Sequence, residues 1–188
     1  MSTTRVLTAA TLGYLAGALP SADVASRLAT GGSTDLRSAG TGNPGAANAI
    51  AVLGPGWGYG ILCADVAKGA LACRVGRAVA GDAGAHVGGV AAVAGHCFPF
   101  HAGFKGGKGV AASAGQCLAT FPSYFPIDVT VAVLTGTRRW KQRAYTATVV
   151  ASLSWVAAGT LWWRRGWPNL WGPRPRPRCR RRPPRQAP

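Results

Sequence analysis

The sequence predicts an all-α, polytopic membrane protein, a helical bundle of about five to six spans of which several are short or broken by Gly or Pro. Hydrophobic residues make up 48% of the 188 residues and charged residues only 14%, against about 25% in soluble domains. Four windows of 17 to 22 residues contain no charged side chain: 6–22, 83–104, 109–127 and 144–163. A helix needs ~20 residues to cross a bilayer. These windows are rich in Gly and Ala, which favour close helix contact in lipid. A soluble protein with several buried helices is the alternative.

The first predicted element is a helix from about Val6 to Leu28, retained in the mature protein instead of being cleaved as a signal peptide. The segment 29–48 follows it and contains five glycines, a proline and several small polar residues. This composition is typical of a loop. The first quarter of the chain therefore predicts one span and one glycine-rich loop.

Two further spans are expected before the second glycine-rich loop. One lies within residues 49–72, interrupted by "GPGWGYG" at 54–60, and the other covers about 85–100. Residues 74–82 are expected to connect them, and the second loop, "GFKGGKG", occupies 103–109. Because two spans separate the two loops, we expect both loops on the same face of the membrane, where they could bind one ligand.

The remaining chain predicts three more spans and a tail. Two prolines in "FPSYFP" at 121–126 would break a continuous helix, so residues 110–137 are expected to form two short spans. "RRWKQR" at 138–143 marks its face as cytoplasmic under the positive-inside rule. A last span is expected at 144–163. We assign 1–171 to the membrane domain and 172–188 to a disordered Arg/Pro-rich tail.

Charge and cysteine usage exclude several classes of function. The net charge is +16, but seven of the 21 basic residues lie in the last 16 residues. That tail has no aromatic residues for base stacking, so no nucleic-acid partner is predicted. The five cysteines form no CxxC pair. We therefore expect neither a disulfide framework nor a metal site, and the oligomeric state is unknown from sequence.

The loop "GFKGGKG" has the composition of a phosphate site. Glycine allows close approach of backbone N–H groups to an anion, and lysine adds a point charge. It is not a nucleotide P-loop, because only three residues separate its first Gly from the Gly-Lys pair and no Ser or Thr follows Lys108. A flexible hinge whose lysines reach the lipid surface is the alternative.

Three motifs in fixed order resemble one family. They are "RSAGTGNPGAAN" at 37–48, "ADVAKG" at 64–69 and "GHCFPFHAGFKGGKGVAAS" at 95–113. Together they resemble the bacterial membrane glycerol-3-phosphate acyltransferases that use acyl-phosphate as the donor. The resemblance covers about residues 12–163 and includes one long, unusual motif.

The resemblance implies transfer of a fatty acyl group to the sn-1 hydroxyl of glycerol 3-phosphate, which gives lysophosphatidic acid and phosphate in phospholipid biosynthesis. It implies a bacterial cell membrane location with the glycine-rich loops on the cytoplasmic face. Acyl-phosphate is an activated mixed anhydride, so no cofactor and no metal is expected. The enzyme would instead bind two phosphates and orient a hydroxyl against a carbonyl.

The resemblance also implies roles for individual residues. The candidate catalytic residues are Thr41, Asn43, His96 and Lys108. The candidate phosphate-binding residues are Gly40, Gly42, Asn48, Lys105, Gly106, Gly107 and Gly109. Asp65 and Lys68, three residues apart on one helix face, are expected to support the site as an ion pair. His86 and His101 have no counterpart in the family pattern.

The chain departs from the family pattern in three places, the third being the Arg–Pro repeats at its end, which cannot span a membrane. Ala51 occupies a position where the family usually has Arg, and the closing H-R-x-N motif is absent. The abrupt change to Arg–Pro repeats after Gly172 suggests the hypothesis of a C-terminal truncation or shifted reading frame. A degenerate paralogue that binds phosphorylated ligand or lipid without turnover is the first alternative, and a small membrane transporter component is the second.

Overall fold

The computed structural model describes residues 2–136 together with 146, 149–151, 153–155, 157, 158 and 161. Its main elements are six helices: α1 Thr3–Gly17, α2 Ser21–Thr30, α3 Ala46–Leu53, α4 Pro55–Cys97, α5 Val110–Thr120 and α6 Phe125–Gly136. Two short 3₁₀ turns, Phe100–Ala102 and Pro122–Tyr124, precede α5 and α6. No strand occurs in these ranges, and the helical fold class is confirmed.

The predicted first helix is two helices. α1 ends at Gly17 and α2 begins at Ser21. Pro20 lies between them and has no backbone N–H to continue the helical hydrogen bonds of α1. The prediction of one helix from Val6 to Leu28 is therefore wrong, and the break exposes the carbonyl group of Leu19 for a side-chain contact described below.

α4 is a helical hairpin with two arms, 55–79 and 82–97. The arms meet at Ala80 and Gly81, whose φ angles are −138° and 64°. The break predicted at 54–60 occurs at Gly54 alone, because Pro55 begins α4 and proline is favoured in the first helical turn. The connection predicted at 74–82 is mostly helix. Both predictions placed a break in a glycine-containing segment that is in fact largely helical.

Glycines allow the helices to pack at backbone contact. A Cβ at Gly13 or Gly17 of α1 would overlap the carbonyl groups of Gly88 or Ala92 in the second arm of α4. A Cβ at Gly115 of α5 would likewise overlap Val66 in the first arm. α1 therefore packs on the second arm of the hairpin, and α5 on the first arm and on Gly89 of the second. Packing through small residues is typical of helices in lipid.

The first glycine-rich loop lies on a small core formed by α2, α3 and the first arm of α4. Its buried residues are Ala22, Ala25, Leu36, Ala49 and Ile61. Leu36 is the loop's own contribution and is 2% exposed. This burial fixes the path of the chain between α2 and α3, and with it the positions of the loop's polar groups.

The C-terminal part of the prediction is tested only in part. The chain does break between Thr120 and Phe125, so the separation of α5 from α6 at "FPSYFP" is confirmed. The cationic segment 138–143, most of the last span and the tail lie outside the described residues. Within the described ranges, none of the helices combines the length and the apolarity that crossing a membrane requires.

Candidate functional site

Asn48 holds the first glycine-rich loop together through hydrogen bonds from its side chain to the loop backbone. The side chain is 2% exposed. Its Oδ1 accepts a hydrogen bond from the N–H of Thr41 (2.8 Å), and its Nδ2 donates to the carbonyl groups of Leu36 and Ala39 (3.0 Å each). Asn48 was predicted to bind phosphate, but all of these contacts are to the protein backbone. In this structure it holds the loop in shape.

Two positions of this loop, 40 and 42, require glycine. Gly40 has φ +59°, and a Cβ there would overlap Asn48 Oδ1. Gly42 also has a positive φ, +72°, a conformation that side chains other than glycine rarely adopt. Thr41 lies between them and is exposed, and Asn43 is half-buried. Both side chains are thus presented at the loop surface.

The second glycine-rich loop crosses the C-terminal end of α4. The N–H groups of Gly106 and Gly107 donate to the carbonyl groups of Cys97 (3.0 Å) and His96 (3.1 Å). A Cβ at Gly107 would overlap the His96 imidazole. These two N–H groups satisfy the end of a helix and are not directed at an anion. The anion nest predicted for Gly106 and Gly107 is therefore not formed by these two amides.

Arg37 joins the two loops. Its Nε donates to the carbonyl oxygen of Lys105 (2.9 Å), and its guanidinium forms an ion pair with Asp23 of α2. Asp35 Oδ1 lies 3.6 Å from Nη1 of the same guanidinium. The hydrogen bond to Asp23 raises the pKa of Arg37, although partial burial opposes this. Arg37 opens the first sequence motif, yet sequence reasoning gave it no role. Its position as the first residue of that motif is the sequence feature that could have identified it.

The buried charged cluster consists of Asp65, Lys68, Ser21 and His96. Lys68 Nζ lies 2.8 Å from Asp65 Oδ1 and also donates to the Leu19 carbonyl group (2.9 Å) and Ser21 Oγ (3.1 Å). Ser21 Oγ donates to Asp65 Oδ1 (2.6 Å). The predicted ion pair is formed, and it connects the first arm of α4 to the break between α1 and α2.

His96 lies between this cluster and the second loop. Its Nδ1 is 3.6 Å from Asp65 Oδ1, and the side chain is 8% exposed. The opposite ring nitrogen, Nε2, faces Gly107. One side of the imidazole therefore faces the Asp65 carboxylate, and the other side faces Gly107.

Two neighbouring cavities, each lined by several charged residues, lie beside the loops and α2. The inner cavity, about 30 Å³, is lined in part by Lys68, His96, Gly106 and Gly107. The outer cavity, about 500 Å³, is lined by Arg27, Arg37, Asp23, Asp35 and His101 among others. Both share Asp23, Arg37 and His101. His101 Nε2 lies 2.6 Å from the carbonyl oxygen of Ala18.

The predicted lysines lie outside these cavities. Neither Lys105 nor Lys108 lines them, nor do Thr41 and Asn43. Both lysine side chains are exposed, and neither forms an ion pair with any Asp of the described residues. Gly109 follows with φ +79° and directly precedes α5. Lys108 therefore stands beside a helix N-terminus, whose first N–H groups have no partner within the helix.

An apolar groove begins at Val110, directly after the second loop. Its volume is about 480 Å³, and α4, α5 and α6 contribute Val93, Cys97, Val110, Val129 and Val133 to its lining. A Cβ at Gly109 would contact Cys97 Sγ at 2.8 Å and Val93 at 3.1 Å, so the groove begins where the lysine loop ends. Among the described residues, no cluster of three His, Cys, Asp or Glu side chains could hold a metal ion.

Comparisons with known proteins agree with the motifs. The family model for glycerol-3-phosphate acyltransferase matches residues 7–168. The chain is 39% identical over 154 residues to a glycerol-3-phosphate acyltransferase of Jannaschia sp. (strain CCS1), covering 81% of this chain and 73% of that protein. It is 33% identical over 162 residues to one from Thermoanaerobacter sp. (strain X514), covering 84% and 77%.

Solved structures agree as well. The fold matches a crystal structure of PlsY, an integral membrane glycerol 3-phosphate acyltransferase in its glycerol 3-phosphate form, with TM-score 0.69 and 28% identity over 87% of this chain and 78% of that one. The lysophosphatidic acid form of PlsY matches with TM-score 0.67 and 27% identity over the same shares. The matched motifs, helices and loops have one explanation: this chain belongs to the glycerol-3-phosphate acyltransferase family.

Proposed function

We propose that this chain transfers a fatty acyl group from acyl-phosphate to the sn-1 hydroxyl of glycerol 3-phosphate. The observation that carries the proposal is the placement of the loop 103–109. Gly106 and Gly107 of this loop line the inner cavity, and the apolar groove begins at Val110, directly after the loop. An enzyme that joins a water-soluble phosphate to a fatty chain needs two such sites on either side of one anion-binding segment.

The outer cavity suits glycerol 3-phosphate. Arg27 and Arg37 can donate hydrogen bonds to a phosphate, and the carboxylates of Asp23 and Asp35 can accept hydrogen bonds from hydroxyl groups. All four residues line this cavity. A ligand that carries one phosphate and two hydroxyl groups matches this mixture of cations and carboxylates better than a phosphate alone would.

The second phosphate site is proposed at Lys108 and the N-terminus of α5. The lysine supplies a charge, and the first-turn N–H groups of α5 supply donors. The acyl chain of the donor would then extend from this point into the apolar groove that begins at Gly109. Because the donor is already activated, the site needs neither nucleotide nor metal for the transfer.

The reaction proposed is a single acyl transfer. The sn-1 oxygen forms a bond to the acyl carbonyl carbon, and the bond from that carbon to the phosphate oxygen breaks with its electron pair on the leaving phosphate. The hydroxyl proton passes to His96 Nε2, which lies at the inner cavity. Asp65 Oδ1 lies 3.6 Å from the other ring nitrogen, Nδ1, on the opposite edge of the imidazole.

We further propose that the loop end of the bundle lies at the cytoplasmic face of a bacterial cell membrane, and that the chain crosses it five or six times. Three aromatic side chains near the second loop are exposed: Phe98 (59%), Phe100 (56%) and Phe104 (62%). Exposed apolar aromatic side chains beside cationic residues suit the boundary between lipid headgroups and acyl chains. There a donor lying in the bilayer would meet a soluble acceptor.

The proposal is tested by phosphate release from acyl-phosphate by membranes that contain this chain, with and without glycerol 3-phosphate. We expect release that depends on glycerol 3-phosphate and that falls by about 10- to 100-fold in Lys108→Ala, since one charge-assisted contact is lost. Absence of release from inserted, folded protein would contradict the proposal. Binding of glycerol 3-phosphate without release would then favour the degenerate paralogue, which Ala51 supports.

A further inference from the structure

The apolar groove runs along α4 and α5, away from the second loop. At its loop end, a Cβ at Gly109 would lie 2.8 Å from Cys97 Sγ and 3.1 Å from Val93 Cγ1. Further along α5, Gln116 packs against Gly89 of the same arm of α4. α5 therefore runs antiparallel to the second arm of α4, and the depth of a residue in the groove follows from its position on either helix.

The two helices give the groove the same length. Its lining on α4 extends from Cys97 back to Val90, and its lining on α5 extends from Val110 to Cys117. Either stretch rises about 10 Å. Because a C–C bond is ~1.5 Å long and an extended chain zigzags, this length holds roughly eight carbon atoms. An acyl chain that reaches the middle of a bilayer core, about 15 Å deep, is longer than the groove.

The groove is open along one side. Val90, Ala94 and Phe98 line it at intervals of four residues, which places them on one face of α4. All three are exposed, Val90 and Phe98 at 59% each. On α6, Val129 and Val133 also line the groove and are 42% and 57% exposed. A chain longer than the groove can therefore leave it toward lipid instead of meeting a closed end.

Ala94 lies halfway along this exposed face. Its side chain is a single methyl group between the larger side chains of Val90 and Phe98. A bulky side chain at position 94 would fill the groove about 5 Å from its loop end, a depth of roughly four carbon atoms. Position 94 therefore decides whether the deeper half of the groove is accessible to a chain.

We propose that the groove recognises only about the first eight carbons of the donor's acyl chain, and that the small side chain of Ala94 keeps the deeper half of this length open. Longer chains are accepted, and their remaining methylene groups stay in lipid. This inference rests on the proposed function, because it assumes that the groove holds the donor's acyl chain.

The test compares kcat/KM of the wild type and of Ala94→Trp for saturated acyl-phosphates of four to sixteen carbons. The ratio of the two enzymes is taken at each length, because partition of the substrate into lipid affects both equally. We expect Ala94→Trp to lose least with the four-carbon chain. The loss should grow by about two- to threefold per methylene up to about eight carbons, because the open groove buries each methylene only in part. It should then stay constant at about 10- to 100-fold.

Two further variants sharpen the test. Val90→Trp lies one helical turn deeper than Ala94→Trp, so its smaller loss should begin only near eight carbons. Leu118→Trp is the matched control, because Leu118 is exposed (43%) on α5 but lies outside the groove lining. Its ratio to the wild type should not vary with chain length.

Three outcomes would overturn the inference. The first is a ratio for Ala94→Trp that is the same at every chain length. The second is a loss that keeps growing through sixteen carbons, which would mean that the protein contacts the whole chain. The third is a wild type that transfers no chain longer than eight carbons, which would mean that the groove has a closed end.

A binding assay separates this inference from the proposed function. Protein in lipid nanodiscs is heated with alkyl phosphates of the same lengths, which cannot transfer an acyl group. A difference in stabilisation between the wild type and Ala94→Trp that grows up to about eight carbons and then levels off would support the inference even without turnover. Equal stabilisation of both proteins at every length contradicts it, even if the wild type transfers acyl chains.

Discussion

The buried cluster at Asp65 and the exposed lysines at 105 and 108 make opposite use of charge. Asp65 and Lys68 are 2% and 7% exposed, and the contacts of Lys68 are all to neighbouring protein groups. Lys105 and Lys108 are exposed and form no ion pair with the described Asp residues. The first pair has its charges satisfied within the fold, whereas the second keeps its charges available.

The difference indicates where a ligand can gain binding energy. A substrate phosphate at Lys68 would have to compete with Asp65 at 2.8 Å in a site that excludes water, but one at Lys108 displaces only solvent. Sequence patterns do not separate these cases, since both lysines lie beside glycine. Substitutions of Asp65 or Lys68 should therefore act mainly on stability, and those of Lys108 on substrate binding.

The largest effect is expected for Asp65→Ala. It leaves the Lys68 ammonium buried without its carboxylate, which costs about 3–5 kcal/mol of unfolding free energy. Unfolding of the purified protein in detergent, followed by circular dichroism, measures the loss. The double variant Asp65→Ala with Lys68→Met removes both charges and should recover most of it. Unchanged stability in Asp65→Ala would show that the cluster is not what holds α4 to the α1–α2 break.

Lys108→Ala should behave in the opposite way. The side chain is exposed, so the unfolding free energy is expected to change by less than about 0.5 kcal/mol. The kcat/KM for acyl-phosphate should fall by about 10- to 100-fold. The same unfolding assay beside steady-state kinetics separates the two quantities. A loss of stability comparable to that of Asp65→Ala would place Lys108 among the structural charges.

Ala51→Arg should add a cation at the first loop. Ala51 is exposed on α3, one turn beyond Asn48, and the family usually has Arg at this position. A guanidinium there can form charge-assisted hydrogen bonds to a phosphate, so we expect kcat/KM for glycerol 3-phosphate to rise about tenfold. Ala51→Gln, of similar reach without charge, is the control. An equal gain in both would assign the effect to helix propensity or packing.

The smallest effect is expected for Arg37→Lys. Lysine retains a charge for Asp23 but loses the planar guanidinium that also reaches the Lys105 carbonyl group, and the two residues are not equivalent at such a site. One lost hydrogen bond is worth about 1 kcal/mol, which predicts a rise of about fivefold in KM for glycerol 3-phosphate. An unchanged KM would mean that the link between the loops does not position the substrate.

Much of the fold and part of the site were predictable from the sequence. Charge-free, Gly- and Ala-rich windows predicted helices in close contact, and Asp65 with Lys68 predicted an ion pair from their spacing of three. The break at "FPSYFP" followed from proline chemistry. Two helix boundaries were not predicted correctly. The charge-free window 6–22 hid the break at Pro20, where proline has no backbone N–H, and the glycines at 56–60 continue α4 although only Gly58 packs closely on α3.

The sequence by itself determined the family and the residues from which a phosphate site is built, because a long ordered motif restricts the chemistry of its side chains. Only the tertiary structure decided which of those groups are free. Asn48, Gly106 and Gly107 look like ligands in sequence, yet their polar groups bond to the chain's own backbone. Arg37 was overlooked, yet it joins both loops. Hydrogen-bond partners distant in sequence decide whether a polar group supports the fold or remains available to a substrate.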